Sequence, residues 1–175
     1  MEPSKEEVIG ATRAWLEKEV IGLNLCPFAQ AVHAEGRIKY AVSEATTPAA
    51  LRTDLMEELI FLKETDPEKV DTTLLIHPHV LGDFYEFNDF LDVADDLLRD
   101  LSLRGDIQIA SFHPRYQFAE TEPDDVTNRT NRSPYPTLHL LREASIERAL
   151  ENYPDAEEIP QRNIETMRRL YGDRK

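Results

Sequence analysis

Three short apolar segments alternate with longer segments of helical pattern, and this alternation restricts the possible folds more than any other feature of the chain. Residues 37–43 alternate between apolar and polar side chains, and residues 72–77 are β-branched and apolar. These two segments and residues 106–112 are predicted to be strands. Strands that alternate with helices favour crossover connections and a parallel sheet. We therefore predict an α/β sandwich of two or three layers, in which helices cover a small, mainly parallel sheet. A ferredoxin-like α+β fold with antiparallel pairing is the alternative.

The predicted helices begin after residues that can cap a first turn. Ser4, Thr47 and Asp83 each supply a side-chain oxygen for the free N–H groups there. We expect the helix after Ser4 to end near Ile21, because Gly22 and Pro27 follow. The remaining helices are expected over 48–64, from Asp83 to about Leu103, over 137–151 and over 160–171.

Length, charge and cysteine content limit the kind of protein. A chain of 175 residues without a repeat or a linker predicts one domain, 1–175. Its formal net charge of −14 repels nucleic acids and anionic membranes, so we expect neither as a partner. No apolar run approaches the roughly 20 residues that span a bilayer, and MEPSKEEVIG lacks the pattern of a signal peptide. A single cysteine is typical of a reducing compartment, which predicts the cytoplasm.

The segment 113–136 has neither helical nor strand periodicity and contains four of the eleven prolines. Irregular loops longer than about 12–15 residues are usually functional or disordered. Tyr116, Phe118 and Tyr135 provide aromatic anchors, which favours an ordered, functional loop. We therefore look for a site here.

The end of this segment is free of acids in a strongly acidic chain. Residues 126–142 include three arginines and no Asp or Glu. If Thr137 caps a helix, Asn131 and Arg132 lie near a helix N-terminus, where N–H groups and arginine bind carboxylates or phosphates. Alternatively, these arginines pair with acids on the protein's own surface. The candidate ligand-binding residues are Arg115, Tyr116, Asn131, Arg132, Tyr135 and His139.

Histidines follow two of the predicted strands. His77 and His113 are expected at the carboxyl edge of the sheet, where α/β folds bind ligands. His139, in the first turn of the predicted helix, could face the same edge. Three imidazoles can bind zinc, but no local metal motif is present and a structural role is the alternative. We expect no tightly bound metal ion.

Cys26 and Asp125 complete the candidates. Cys26 could act as a nucleophile if a neighbour stabilised its thiolate, and otherwise packs inertly beside Leu25 and Phe28. Asp125 could act as a general base or cap a turn. No glycine-rich phosphate loop, serine elbow or HExxH motif is present, so no cofactor is assigned. The candidate catalytic residues are His113, His77, Cys26 and Asp125.

Three long motifs carry a family resemblance. The segments 22–29, 110–119 and 130–150 resemble the bacterial family known only as domain of unknown function 1415. The resemblance implies no activity. The chain departs from the family pattern at Glu120, where the resemblance implies a glycine, and this difference is expected to stiffen the loop. The family positions that the resemblance implies are Cys26, His77, His113, Tyr116, Asp125, Asn131, Arg132, Tyr135 and His139.

These residues predict a small cytoplasmic enzyme that acts on a carboxylate- or phosphate-bearing metabolite. Asn131 and Arg132 would hold the anion, and His113 or His77 would transfer a proton. Cys26 or a metal ion could participate. The alternative functions are a non-catalytic module that binds an anionic ligand through the same residues, and a scaffold protein.

Overall fold

The computed structural model describes residues 2–26, 28–151, 153 and 155–172. This part of the chain forms a mixed sheet covered by helices, which confirms the predicted α/β class. The strands are β1 Ile38–Val42, β2 Thr72–Ile76, β3 Ile107–Phe112 and β4 Thr137–Arg142. The helices are α1 Lys5–Trp15, α2 Ala29–Ala34, α3 Pro48–Glu64, α4 Phe84–Asp100, α5 Glu143–Glu151 and α6 Ile159–Tyr171.

The sheet has the strand order β1-β2-β4-β3. β1 pairs with β2 in parallel, whereas β4 is antiparallel to both β2 and β3. Three strands therefore run in the same direction, and β4 runs against them in the middle. Each predicted strand is confirmed, and β4 is an addition that the sequence pattern did not indicate.

The predicted helix over 137–151 is wrong in its first six residues, because Thr137–Arg142 is β4 and only Glu143–Glu151 is helical. Leu138 and Leu140 are completely buried on one face of the sheet. An apolar run that is buried on both faces has no clear period of two and resembles a helix in sequence. Pairing with β2 and β3 decides the conformation.

Helices α1, α3 and α4 begin directly after the capping residues that the sequence indicated. Ser4 forms a complete capping box with Glu7, while Thr47 and Asp83 accept from the first turns of α3 and α4. α1 continues as a π-helical turn over Leu16–Ile21. Pro27, which was expected to interrupt this helix, lies outside the described residues. The short helix α2 was not predicted.

The two faces of the sheet are covered differently. On one face, α3 and α4 pack a dense core against the strands, and Leu51, Leu55, Leu59 and Leu62 of α3 are completely buried. Burial of one such side chain contributes about 1.5–3 kcal/mol. On the other face, Trp15, Leu16 and Val20 form a smaller cluster with Ile38 and Phe112. That smaller cluster leaves space above the sheet.

None of the helices in the described part of the chain combines the length and apolar character that crossing a bilayer demands.

Glu120 supplies a test of backbone strain in the loop. Its φ of 65° lies in the left-handed region, which favours glycine, the residue expected at this position. Glu120→Gly is expected to raise the free energy of unfolding by about 0.5–1 kcal/mol, since relief of strain exceeds the added chain entropy. Urea denaturation measures the change. Glu122→Gly, in the same loop without positive φ, is expected to be neutral or destabilising, and equal effects of the two variants would contradict this explanation.

Candidate functional site

His77 and His113 lie at the same edge of the sheet, at the ends of β2 and β3. Both side chains are completely buried and pack against Phe87 of α4, with ring centroids 5.7 Å and 4.9 Å away. Nδ1 of His77 lies 3.1 Å from the carbonyl oxygen of Val80, and Nε2 of His113 lies 3.0 Å from that of Leu81. A carbonyl can only accept, so these nitrogens carry the proton.

These two hydrogen bonds hold the turn that leads from β2 into α4. Leu81 has a φ of 60°, a strained conformation for a branched residue. Nδ1 of His113 also accepts from the backbone N–H of Arg115 at 2.9 Å. Burial lowers the pKa of His77 to about 4 and also lowers the pKa of His113. Both imidazoles are therefore neutral at pH 7. His113 has a backbone partner at each ring nitrogen, whereas Nε2 of His77 is buried without a partner among the described residues. These contacts favour the structural role that the sequence left open.

The polar side chains of the segment 113–136 mostly bind its own backbone. Arg132 donates from Nε to the carbonyl of Tyr116 at 3.1 Å and from Nη2 to that of Pro123 at 2.5 Å. Asn131 donates to the carbonyl of Ser111. Asp125 accepts from the backbone and hydroxyl of Thr127, and these bonds lower the pKa of Asp125. Arg132 and Asp125 thus fix the loop.

The predicted helix N-terminus at Thr137 does not exist, because β4 begins there. The backbone N–H groups of Thr137–Arg142 take part in strand pairing and are not free for an anion. This part of the expected anion site is wrong. Arg115 is exposed, and Tyr116 and Tyr135 are half-buried in the loop.

His139 does not face the edge where His77 and His113 lie. It sits in the middle of β4, opposite Leu74 and Ala110, on the other face of the sheet. The expectation that the three histidines share an edge is therefore wrong. Among the described residues, no group of three or more His, Cys, Asp or Glu side chains is arranged to hold a metal ion.

A hydrogen bond to Thr72 fixes the tautomer of His139. Oγ1 of Thr72 donates to the carbonyl of Leu140 at 2.5 Å, so it accepts from Nε2 of His139 at 2.8 Å. Nδ1 of His139 then carries a lone pair. Surrounding protein atoms disfavour the imidazolium ion and lower the pKa of His139 to about 4.

His139 lies in the wall of a cavity of about 370 Å³ between the sheet and α1, α2 and α5, which we call the sheet cavity. Its apolar wall consists of Trp15, Leu16, Val20, Phe28, Ala29, Val32, Ile38, Leu74, Ala110, Phe112, Leu141, Ile146 and Ala149. Its polar wall consists of Cys26, Asp71, Thr72, Gln108, His139, Arg142 and Ser145.

Several polar groups gather towards the amino end of β2. Thr72 and Gln108 flank Leu141 across the sheet, and Gln108 is exposed, so the cavity reaches solvent on this side. Asp71 accepts from Oγ of Ser145 at 2.6 Å and lies 3.7 Å from Nη1 of Arg37. The apolar part of the cavity therefore ends in a polar region.

Arg142 belongs to this polar region. Its Nη2 donates to the carbonyls of Thr65 and Val70 at 2.8 Å and 2.9 Å. Burial lowers the pKa of Arg142. Its Nε is buried and has no hydrogen-bond partner within the described ranges of the chain. A buried N–H without a partner is costly and is usually satisfied by a water or a ligand.

Cys26 is half-buried in the wall of the sheet cavity. Burial raises the pKa of its thiol, and hydrogen bonds from the backbone of Phe28 and Ala29 offset only part of this effect. The thiol is therefore protonated at neutral pH and is a weak nucleophile. This environment favours the packing role over the catalytic one.

Sequence reasoning identified His139 and Cys26 but missed Trp15, Thr72 and Gln108 as site residues. The available signal was one polar residue in each of two predicted strands. Thr72 begins the segment 72–77 and Gln108 lies between the isoleucines of 106–112, and both line the cavity that includes His139. Trp15 carried no signal beyond its place on the apolar face of the first helix.

The family model described as "Protein of unknown function (DUF1415)" matches residues 7–175 of the chain. No curated protein and no solved structure matches the chain.

The buried histidines predict a stability that depends on pH. The unfolded chain binds protons at histidines with a pKa near 6.5, whereas folded His77 resists protonation until about pH 4. Between these values the unfolded state binds more protons, so the free energy of unfolding falls as the pH decreases. His77 alone should contribute a loss of about 2 kcal/mol between pH 7 and pH 5.

Urea denaturation at pH 7, 6 and 5 measures this loss in the wild type and in His77→Asn, which keeps a donor for Val80 but does not titrate. We expect the variant to be less stable at pH 7 and to lose less stability on acidification. Parallel pH profiles for the two proteins would contradict the assignment.

Proposed function

Since the chain belongs to the family described as protein of unknown function (DUF1415), whose description names no activity, we propose a function from the geometry of the site. The protein binds a small molecule with an apolar body and one anionic end inside the sheet cavity. The ligand class is the one expected from the sequence. The proposed site lies on the face of the sheet opposite to α3 and α4, and not at the carboxyl edge.

The observation that carries the proposal is an apolar cavity with a few polar groups at one end. Its volume of about 370 Å³ lies within the range of small-molecule pockets, about 300–1,000 Å³. Such pockets combine an apolar lining with few polar groups that orient the ligand. The α3 and α4 side of the sheet, in contrast, is packed with completely buried leucines.

Two groups at the polar end of the cavity orient the ligand in this proposal, one as a hydrogen-bond donor and one as an acceptor. Arg142 offers a buried N–H without a partner, which an oxygen of a carboxylate or phosphate would satisfy. His139 offers a lone pair at Nδ1, which would accept from a hydroxyl of the ligand. Asp71 is held by Ser145 and Arg37, and its charge also acts on His139 and Arg142. A carboxylate close to a hydroxyl fits these two groups.

The chemistry of the wall favours binding over catalysis. His139, with a pKa of about 4, is a weak base at pH 7, and Cys26 is a protonated thiol. His77 and His113 are completely buried and bind backbone carbonyls, so we no longer assign them a proton-transfer role. We therefore prefer the ligand-binding module to the enzyme, and propose that it works in the cytoplasm on a small molecule and not on nucleic acid.

Occupancy of the sheet cavity can be tested with hexanoate and hexanamide. Trp15, the single tryptophan, lies in the cavity wall and reports binding by its fluorescence. We expect hexanoate to bind about tenfold more tightly than hexanamide, because a charge-assisted hydrogen bond is stronger than a neutral one.

Ala110→Leu places a larger side chain beside His139 and should abolish binding, whereas Ala49→Leu, at an exposed position of α3, should not. Binding of neither compound to the wild type, or equal binding to Ala110→Leu, would reject the cavity as the site.

The reactivity of Cys26 provides a second test. Because its thiol is half-buried and its pKa is raised, an aromatic disulfide reagent should label native protein slowly at pH 7 and urea-unfolded protein rapidly. Saturating hexanoate should slow the native reaction further. Native labelling as fast as that of the unfolded chain would instead restore Cys26 as a candidate nucleophile.

A further inference from the structure

A second cavity, of about 330 Å³, lies between the first helix, the segment 124–134 and the end of α6. We call it the loop cavity. It is lined by Trp15 and Glu19, by Asp124, Asp125, Val126, Arg129, Arg132 and Pro134 of the segment, and by Tyr171. It is more polar than the sheet cavity, and Trp15 is the only described residue that lines both.

Two residues of the loop cavity carry buried N–H groups without partners. Nε1 of Trp15 and Nε of Arg129 are both inaccessible to solvent and have no hydrogen-bond partner in the described part of the protein. Native proteins leave few buried donors unsatisfied, and such groups commonly mark the place of a water, an ion or a ligand. Two such donors belong to residues that line the same cavity.

Both donors are held in place by neighbouring side chains. The guanidinium of Arg129 lies 3.9 Å from the centroid of the Tyr171 ring and donates from Nη2 to Glu19 at 2.8 Å. The indole of Trp15 is only 8% exposed and packs edge to face on Phe112 at 5.1 Å. A ligand that meets fixed donors loses less affinity to the ordering of side chains.

The charges of the loop cavity leave one group of each sign. Glu19 neutralises Arg129, and Asp125 is bonded to Thr127 and lies near Arg168. Within the described residues, Arg132 binds carbonyl oxygens and forms no ion pair with an acid. Asp124 is exposed and has neither a hydrogen bond nor an ion pair to any residue that the structure describes.

We propose that the loop cavity binds a small zwitterion of the α-amino acid class. The carboxylate oxygens accept from Trp15 and Arg129 in the field of Arg132, and the ammonium group faces Asp124. A simple anion would leave Asp124 without a counter-charge, and a simple cation would leave Arg132 without one. A molecule with both charges close together matches the arrangement. Of the described residues, this site has Trp15 in common with the sheet cavity, but it does not depend on the ligand proposed there.

Isothermal titration calorimetry with L-alanine, L-leucine and L-phenylalanine tests the proposal. We expect at least one of them to bind at one site per chain. Its analogue without the amine and its analogue without the carboxylate should each bind at least about tenfold more weakly, since each loses a charged contact. Absence of binding by all three amino acids at millimolar concentration, or equal binding of the zwitterion and the simple acid, would overturn the proposal.

Matched variants identify the cavity that is used. Asp124→Asn should weaken binding about tenfold, whereas Asp89→Asn, at an exposed position of α4, should not. Trp15→Phe removes the donor and keeps an aromatic ring, while Thr73→Val removes a buried hydroxyl that also lacks a partner but lies outside the cavity. We expect Trp15→Phe to bind the amino acid more weakly and Thr73→Val to bind it as the wild type does.

Ala110→Leu separates this inference from the function proposed for the sheet cavity. Amino-acid binding that survives Ala110→Leu supports the loop cavity, even if hexanoate fails to bind. Amino-acid binding that Ala110→Leu abolishes, or that Asp124→Asn and Asp89→Asn affect equally, would refute it. Thermal unfolding of each variant establishes that it is folded before titration.

Discussion

The hydrogen bonds of β4 to β2 on one side and to β3 on the other hold the strands in one sheet. Without β4, β2 and β3 would each have an unpaired edge, and burial of those backbone groups would be costly. Its alternating side chains serve both layers: Leu138 and Leu140 enter the core under α3 and α4, while His139 and Leu141 face the sheet cavity. The position of the candidate site therefore follows from this strand.

The unequal covering of the two faces explains why one side is core and the other contains space. The α3 and α4 layer supplies leucines at regular helical spacing, and these fill its volume. The opposite layer is assembled from a first helix that ends in a π-helical turn, from the short helix α2 and from α5, in whose nine residues none is buried. Short elements with few buried side chains fill space less completely, and a cavity remains where they meet the sheet.

The carboxyl edge illustrates how residue type alone can mislead. His77, His113, Asp125 and Arg132 are residues that catalytic sites use, and they occur where α/β folds place such sites. Here their hydrogen bonds go to the turn after β2 and to the long loop, which has little regular secondary structure of its own. A long irregular loop has many backbone groups to satisfy, and polar side chains can meet that need as readily as they can bind a ligand.

The sequence by itself determined the features that depend on near neighbours. The caps at Ser4, Thr47 and Asp83, the three first strands and the ordered loop could be predicted, because each rests on hydrogen bonds or periodicity within a few residues. Only the tertiary structure decided that 137–142 is a strand, since its partners lie about 30 and 65 residues away in the sequence. The same holds for both cavities: Trp15, Cys26 and His139 come from separate segments, and no local pattern records that folding places them around one space.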